Sequence, residues 1–398
     1  MNAKQNDSRA IAYLEAFYGG SHRDFADGLI AHSRHSFEMY SLPARNWKKR
    51  IRSAALELAA SIEDPMRFKA VFSGGMMQLS DLRAVWRTRC PPLILYAHET
   101  QLSYPGFEPK SSRDEFFYSD ISNMLAADTV VFNSFSHRER FRTEAMKFLQ
   151  RCNLSPALPQ QLEQHLNDNS LVIYPGCWFT SEDRSQFRSA RLPGPLRIVW
   201  NHRWEFDKRP EDFLAVLRRA RAAGAEFQLI LMGEPPWPSA DAVAGNHAKS
   251  CLQLHDEFGD CILHSGYLPS RRDYYRLLAR GDVVISTAIQ ENFGISVVEA
   301  MYFGCLPLLP DRLSYPELLQ GACGSCATGD SLLSLLYTDL DACAEYLSAY
   351  ARWVRNLDWK KYEQRQRHIS QHLQRLSWQH QCLEFDQMFD SRIPLQYP

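Results

Sequence analysis

The chain has 398 residues, of which 45% are hydrophobic and 23% are charged, and its formal net charge is -1. This charge excludes a globally basic nucleic-acid binder, although a local basic patch stays compatible with it. No apolar run approaches the roughly 18 residues that a membrane-spanning helix needs, and the polar start MNAKQNDSRA lacks the apolar centre of a signal peptide. A cytoplasmic protein of two domains that does not enter a membrane is therefore expected, and the sequence predicts no particular oligomeric state.

Short apolar runs alternate along the chain with longer segments of helical periodicity, such as 210–223 and 271–279. The strands predicted in the first half span 10–15, 37–41, 70–73, 93–97, 129–133 and 171–174. Those predicted in the second half span 197–201, 227–232, 262–265, 282–287 and 306–309. This alternation favours an α/β fold with parallel sheets covered by helices on both faces, here arranged as two Rossmann-like domains.

The clearest domain boundary lies at 189–195, SARLPGP, where two prolines and a glycine precede a new strand. We therefore predict an N-terminal Rossmann-like domain over 1–190 and a C-terminal Rossmann-like domain over 191–338. Residues 339–398 predict only helices, which are expected to pack as a tail across the domains. Because ligands of open parallel sheets bind beyond the carboxyl ends of the strands, the site is expected in the cleft between two such sheets.

The ten cysteines are scattered, and Cys323 and Cys326 form the only CxxC pair. A structural zinc site needs about four ligands, and the sequence has neither a second CxxC nor an HxxxH pair. No metal site is predicted, and a loop is the expected structure around the pair, with metal binding or redox chemistry as the alternative.

Polar motifs follow two strands of the first half. Gly19 and Gly20 precede Ser21 at a strand-to-helix turn, where the backbone could approach a ligand and free N–H groups could bind an anion. A tight turn with Ser21 as the helix N-cap explains the same residues. His98 follows the fourth strand directly and could hydrogen-bond a substrate or a phosphate, and a purely structural histidine is the alternative.

The first strand of the second half ends in WNHRWEFDKRPEDF. Arg203 and Lys208 lie in the loop that follows, and a helix is expected to begin at Pro210. Two cations beside a helix start suit a diphosphate, since arginine offers a planar fork and lysine a point charge. The alternative is a solvated charged loop, which the two tryptophans and the histidine of this stretch disfavour.

A strand and loop lead to Glu291 in the stretch 288–310, AIQENFGISVVEAMYFGCLPLLP. Asn292 is predicted to cap a helix that runs from about Phe293 to Tyr302. The backbone N–H groups at the start of such a helix lack intrahelical partners and can bind phosphate. These N–H groups are predicted to belong to Phe293, Gly294 and Ile295.

Glu299 is expected about 9 Å further along the same helix, at 1.5 Å per residue. A carboxylate binds hydroxyls better than phosphate. Glu291 would therefore bind one set of hydroxyls, the helix start would bind phosphate, and Glu299 would bind a second set of hydroxyls. This order suits a nucleotide sugar, with the sugar at Glu291 and the ribose at Glu299. The alternative is that both are ordinary surface acids.

The stretch 42–58, LPARNWKKRIRSAALEL, concentrates positive charge around an aromatic residue. Cations beside a tryptophan could hold an RNA backbone and stack an unpaired base, whereas a solvated helix start is the alternative. Basic residues in a first helical turn oppose the helix dipole, which weakly favours an anionic partner. The residues predicted to contact RNA are Arg45, Trp47, Lys48, Lys49, Arg50 and Arg52, and the basic tail segment 359–375 is a second candidate surface.

Together, Glu291, Glu299, Arg203 and Lys208 resemble the motifs of the retaining glycosyltransferases of family 4, which have the GT-B fold. The resemblance implies a nucleotide-diphosphate sugar donor, no metal or other cofactor, and retention at the anomeric carbon. EAFYGGSH, HETQLSYP, FNSFSHRERF and NHRWEFDKRPEDF are similar, more narrowly, to mannosyltransferases that act on queuosine in tRNA. This narrower resemblance implies GDP-mannose as the donor and the cyclopentenediol of queuosine in a tRNA anticodon as the acceptor.

The resemblance also implies roles for individual residues. Arg203, Lys208 and the helix start would stabilise negative charge as GDP leaves, and Glu291 would orient the sugar. His98 would contact the sugar or the acceptor, and His22, which ends EAFYGGSH, would belong to the acceptor site. Gly19 and Gly20 would join the donor site.

Three other functions fit parts of the same sequence. A family 4 glycosyltransferase could act on a lipid, a polysaccharide or a small molecule, although a lipid acceptor would call for a more apolar face near residues 42–60. A tRNA-binding module that has lost catalysis would be expected to lack Arg203, Lys208 or Glu291, and all three are present. An isomerase of nucleotide sugars would have no use for the basic, tryptophan-containing stretch.

Overall fold

The structure, a computed structural model, describes residues 9–104, 110–180, 184, 186–187, 194–233, 246–320, 336–355 and 359–393. The chain forms two compact units, one made of Met1–Trp178 with Trp378–Pro398 and the other of Phe179–Ser377. Cys323 and Cys326, and most of the boundary segment 189–195, lie outside the described residues.

The first unit contains a parallel six-stranded sheet of order β2-β1-β3-β4-β5-β6. The strands are β1 Ile11–Tyr18, β2 Phe37–Pro43, β3 Ala70–Ser73, β4 Leu93–Ala97, β5 Thr129–Phe132 and β6 Ser170–Val172. The helices between them are α1 Gly20–His32, α2 Trp47–Ala60, α3 Leu79–Trp86, α4 Lys110–Ala126, α5 Phe135–Arg151 and α6 Ala157–Asn169.

Alternate residues of β1 enter two separate hydrophobic cores. Ile11 and Tyr13 pack in one core with Phe25 of α1, while Ala12 and Leu14 belong to the core on the other side. All four β1 residues are fully buried. A strand buried on both faces has no polar alternation, which explains why the sequence shows it as a continuous apolar run.

The second unit repeats this architecture with a parallel sheet of order β12-β11-β10-β7-β8-β9. Its strands are β7 Leu196–Trp200, β8 Phe227–Leu231, β9 Ile262–Ser265, β10 Val283–Ile285, β11 Leu306–Pro310 and β12 Leu336–Tyr337. Its helices are α7 Pro210–Ala222, α8 Asn246–Phe258, α9 Arg271–Leu278, α10 Ile295–Tyr302, α11 Tyr315–Leu319, α12 Leu340–Arg355 and α13 Trp359–Leu373.

The C-terminal helices are divided between the two units. Within the second unit, α12 packs against α7 and α13 packs against α10. The last helix, α14 Trp378–Arg392, packs against α1 in the first unit, where Trp378 and Phe385 contact Phe25. The second unit thus begins at Phe179, before the boundary predicted from sequence, and it includes two of the helices that the sequence assigned to a separate tail.

The eleven strands predicted from sequence are confirmed, with ends that shift by a residue or two, or three at the end of β1. The two-residue strand β12 was not predicted. Among the described residues, no helix is both long and apolar enough to cross a membrane. The predicted α/β architecture of two parallel sheets covered by helices is confirmed.

Candidate functional site

In each unit the strand order reverses between two neighbouring strands, which is where ligands of open parallel sheets bind. The reversal lies between β1 and β3 in the first unit and between β7 and β10 in the second. Glu15 lies on β1, one of the two strands at the first of these points, and His98 directly follows β4, the strand next to β3. Lys208 and Glu291 lie in the loops that follow the two strands of the second.

The first unit brings Glu15, His22 and His98 together. The Nδ1 atom of His22 lies 3.3 Å from Oε1 of Glu15, and the rings of His22 and His98 are 4.2 Å apart. Glu15 is fully buried and His22 is almost so, while His98 is partly exposed. One oxygen and two nitrogen atoms of this trio lie within 4.8 Å of one another.

Glycines make this close approach possible. A Cβ atom on Gly74, which follows β3, would lie 2.3 Å from Oε2 of Glu15 and 3.4 Å from Nε2 of His98. A Cβ atom on Gly19 would lie 2.4 Å from the Cβ atom of Ala44. Any other residue at either position would force neighbouring atoms to move. Gly19 also caps α1, so the interpretation of Ser21 as the N-cap is wrong.

The trio pushes the pKa values of its two histidines in opposite directions. Burial lowers the pKa of His22, but Glu15 outweighs it, and the pKa is raised above its ordinary value. Burial lowers the pKa of His98 well below its ordinary value, and the charge of His22 lowers it further. The distances would allow a metal ion, which would displace the proton of His22, because histidine ligates a metal in its neutral form.

In the second unit, Lys208 is held by three oxygen atoms. Its Nζ atom lies 3.1 Å from Oε2 of Glu291, 3.2 Å from Oδ2 of Asp207 and 3.0 Å from the carbonyl oxygen of Gln290. Burial lowers the pKa of the Lys208 ammonium, but Glu291 and Asp207 outweigh it, so the pKa is raised. Lys208 and Glu291, 83 positions apart in the chain, therefore form one charged group.

Arg203 lies in the same loop but in a different environment. Its side chain is 66% exposed, and its guanidinium group lies 3.2 Å from Glu205. Around it, Trp200, His202 and Trp204 are buried, so the loop is not a solvated charged one. As predicted, α7 begins at Pro210.

The helix after Glu291 begins two residues later than predicted. Gly294 is its N-cap, with φ at 101°, and the first intrahelical hydrogen bond runs from the N–H of Val298 to the carbonyl of Gly294. Asn292 does not cap the helix, because its Oδ1 atom accepts a hydrogen bond from the buried Gln290. The N–H groups that the helix itself leaves unpaired are therefore those of 295–297, and Phe293 and Gly294 precede it.

Glu299 is not an ordinary surface acid. Its two carboxylate oxygens accept hydrogen bonds from the hydroxyls of Tyr274, at 3.1 Å, and Tyr275, at 3.3 Å. The amide of Asn201, just after β7, donates to the Tyr274 hydroxyl and to the carbonyl of Ser296. This network fixes the Glu299 carboxylate relative to both β7 and α10.

The basic stretch forms the start of α2 and divides into two groups. Arg50 pairs with Glu57 and Arg52 pairs with Glu115, so these two cations are already neutralised by acids. Arg45, Lys48 and Lys49 are exposed, and the Lys48 ammonium lies 5.7 Å from the centre of the Trp47 ring. Of the six residues predicted to contact RNA, these three are exposed cations close to the aromatic ring of Trp47, as the prediction requires.

Sequence reasoning missed several residues of both groups: Glu15, Gly74, Asn201, Asp207, Tyr274 and Tyr275. A glutamate in the middle of the apolar run IAYLEAFY was a usable signal, because acids are almost never fully buried without a partner. The two tyrosines lie on α9 beside basic residues and gave no comparable signal.

Comparison with known proteins gives matches over both units. Residues 10–177 match the N-terminal family of tRNA-queuosine alpha-mannosyltransferases, and residues 181–325 match the glycosyl transferases of group 1. The tRNA-queuosine alpha-mannosyltransferase of Drosophila melanogaster is 30% identical over 324 residues, which cover 77% of this chain and 81% of that protein.

Solved structures match over nearly the whole chain. A sucrose-phosphate synthase from Thermosynechococcus elongatus aligns with a TM-score of 0.63 at 15% identity, over 96% of this chain and 99% of that one. The Anabaena protein HepE, crystallised with UDP and glucose, aligns with a TM-score of 0.61 at 15% identity, over 96% of this chain and all of that one. At such low identity these matches bear on the fold alone, which is GT-B.

Proposed function

The chain belongs to the tRNA-queuosine alpha-mannosyltransferase family and is a hexosyltransferase, and on this premise we propose that it transfers mannose from GDP-mannose to the cyclopentenediol of queuosine in a tRNA anticodon. We place the reaction in the cytoplasm. The observation that carries the proposal is the joining of Lys208 and Glu291 at the strand reversal of the second unit. Lys208 can thereby bind a phosphate while the adjacent Glu291 binds a sugar hydroxyl.

The donor binds to the second unit in this proposal. Arg203 and Lys208 contact the diphosphate, together with the N–H groups at the start of α10. Asn292, Phe293, Gly294 and Ile295 form the turn that presents those groups. Glu299 binds the ribose hydroxyls, a role that its fixed carboxylate supports, because a preorganised acceptor loses little freedom when the ligand arrives.

Transfer proceeds with retention and without a metal ion. The bond between the anomeric carbon and the diphosphate oxygen breaks, and the acceptor hydroxyl oxygen bonds to the same face of that carbon. The acceptor proton passes to an oxygen of the departing phosphate, which leaves as GDP. Arg203 and Lys208 stabilise the charge that develops on GDP, and such preorganised electrostatic stabilisation is usually the largest single contribution to catalysis.

The first unit binds the acceptor and contributes His98. This histidine is neutral near pH 7, since its pKa is lowered by burial and by His22, and a neutral imidazole can accept a hydrogen bond from a hydroxyl. Glu15 raises the pKa of His22, and the positive charge of His22, when it is protonated, lowers the pKa of His98 further. Gly19 and Gly20 form the turn that begins α1 beside this group, and the exposed cations of α2 hold the tRNA backbone.

Release of GDP tests the proposal. Purified protein is incubated with GDP-mannose, with queuosine-containing tRNA, or with both, and GDP is measured over time. We expect release in excess of hydrolysis only when both are present, and its loss in Arg203→Ala, a substitution at a side chain that is 66% exposed. Equal release with a lipid or a saccharide in place of tRNA would instead favour a family 4 enzyme with another acceptor.

A further inference from the structure

Two histidines and one glutamate of the first unit form a set of ligands that suits a transition-metal ion. Glu15, His22 and His98 each offer one ligand atom, and these three atoms lie within 4.8 Å of one another. Imidazole nitrogens together with a carboxylate oxygen suit Zn²⁺, whereas Mg²⁺ prefers oxygen ligands alone. The three residues come from β1, from α1 and from the loop after β4, so the fold assembles the set from distant parts of the chain.

The carboxylate of Glu15 is fully buried and has one oxygen available to a ligand. Its Oε1 atom accepts a hydrogen bond of 2.8 Å from the backbone N–H of Phe17 and lies 3.3 Å from Nδ1 of His22. Its Oε2 atom accepts no hydrogen bond from the part of the chain that the structure describes. A buried polar atom without a partner costs free energy, and a bound cation would remove that cost.

The spacing of the ligand atoms is close to that of a tetrahedral zinc site. Zinc bonds of about 2.0–2.2 Å place neighbouring ligand atoms about 3.3 Å apart. The Nδ1 atom of His22 and the Oε1 atom of Glu15 already have this separation. The other ligand atoms would have to approach by at most about 1.5 Å from the observed limit of 4.8 Å. Gly74 permits this approach, because it places no side chain between Glu15 and His98.

The surroundings of the group favour a cation and allow it to enter. Glu15 and Glu99 both act to raise the pKa of His22, so two acids place this imidazole in a negative potential. His98 is partly exposed, which gives an ion a path from outside. The amide of Asn133 donates a hydrogen bond of 2.8 Å to the carbonyl oxygen of His98 and so fixes the backbone of this ligand.

We propose that Glu15, His22 and His98 bind a Zn²⁺ ion and that the bound ion inhibits transfer. The ion takes the place of the proton on His22, because histidine ligates a metal in its neutral form. A neutral imidazole has one acceptor nitrogen, and coordination of Zn²⁺ by His98 occupies it, so this residue can no longer accept a hydrogen bond from a hydroxyl. The inhibition rests on the function proposed above, whereas binding of the ion does not.

Binding is measured first, on the metal-free full-length protein without tRNA or GDP-mannose. Zn²⁺ is titrated by calorimetry, and Co²⁺ is titrated by absorption spectroscopy, because its spectrum distinguishes thiolate ligands from nitrogen and oxygen ligands. His98→Gln removes a ligand at a partly exposed position, and Glu15→Gln removes one at a buried position. His255→Gln is the matched control, since Nδ1 of this histidine on α8 lies 3.9 Å from Sγ of Cys251.

The wild type and His255→Gln should each bind one ion per chain, with a Co²⁺ spectrum free of thiolate bands. His98→Gln should bind Zn²⁺ at least about 100-fold more weakly, because a ligand contributes more than a residue that only supports one, whose loss costs about 10–100-fold. If Glu15→Gln fails to fold, His98→Gln alone decides the result. No binding by the wild type, thiolate bands, or an unchanged affinity in His98→Gln would overturn the site.

Inhibition is measured next, as transfer by the wild type at buffered concentrations of free Zn²⁺. Transfer should be halved at a free Zn²⁺ concentration close to the dissociation constant and restored by EDTA, whereas Mg²⁺ at the same concentrations should have no effect. Transfer that continues at full occupancy of the site would overturn the inhibitory role. Binding that depends on His98 in a protein that transfers no mannose would uphold the zinc site and would refute the proposed reaction instead.

Discussion

Replacement of Lys208 by methionine should destabilise the second unit as well as stop transfer. The Lys208 side chain is only 11% exposed, and the acids it contacts, Asp207 and Glu291, are 3% and 17% exposed. Removing one partner from a buried ion pair leaves the other charge without compensation, at about 3–5 kcal/mol. For a unit of roughly 200 residues, each kcal/mol lowers the melting temperature by about 2–4 °C, so we expect a decrease of about 6–20 °C.

Calorimetry of the full-length protein measures this effect, with Arg203→Ala as the control. Arg203 is 66% exposed and pairs with Glu205, and an exposed pair contributes about 0–1 kcal/mol. Its loss should therefore lower the melting temperature by less than about 4 °C while transfer is still lost. Addition of Glu291→Gln to Lys208→Met should restore part of the stability, because it removes one of the uncompensated charges. A melting temperature of Lys208→Met within about 2 °C of the wild type would refute the reasoning.

Three further predictions concern the other groups. Glu15→Gln should lower the pKa of His22 below 6.5, as measured by NMR, because burial is the largest effect on this pKa and only the weaker charge of Glu99 then opposes it. The stability that Glu15 contributes through His22 should be fully present below pH 6.5 and should be lost as the pH rises through the raised pKa of His22. A difference in unfolding free energy between Glu15→Gln and the wild type that stays constant across this pH range would contradict the pairing. Glu299→Gln should raise the KM for GDP-mannose by about tenfold or more with a smaller change in kcat, and the reverse pattern would remove Glu299 from the ribose site. EDTA should leave the rate of transfer unchanged, whereas a loss that Mg²⁺ restores would show that a metal ion takes part.

The strands could be predicted because most of them are buried on both faces. β3, β4 and β5 are buried at every position, so each appears in the sequence as a short apolar run between polar segments. β12 has only two residues, too few for any periodic signal. The division of the C-terminal helices between the units could not be read from the chain, since α13 and α14 carry similar helical patterns yet pack in different units.

The residues after the strands were identified, but their partners were not. Lys208 and Glu291 were found separately, because each follows a strand, and the structure adds that they contact each other and Asp207. The start of α10 was misplaced because Asn292 resembles an N-cap, whereas the positive φ of Gly294 sets the actual beginning.

Glu15 could not be assigned for a different reason. Its environment is created by Gly74, which lies 59 positions further along the chain and carries no side chain of its own. A contact that depends on the absence of a side chain leaves no polar pattern in the sequence. Such contacts require the backbone geometry to be known.

The central claim is tested most directly by the mass of the product nucleosides. Queuosine-containing tRNA is incubated with the protein and GDP-mannose, digested, and compared with the same tRNA carrying guanosine. We expect queuosine alone to gain the mass of one hexose, and NMR of the product to show the α configuration. Queuosine of unchanged mass, in a reaction where mannose is transferred to a different acceptor, would contradict the central claim.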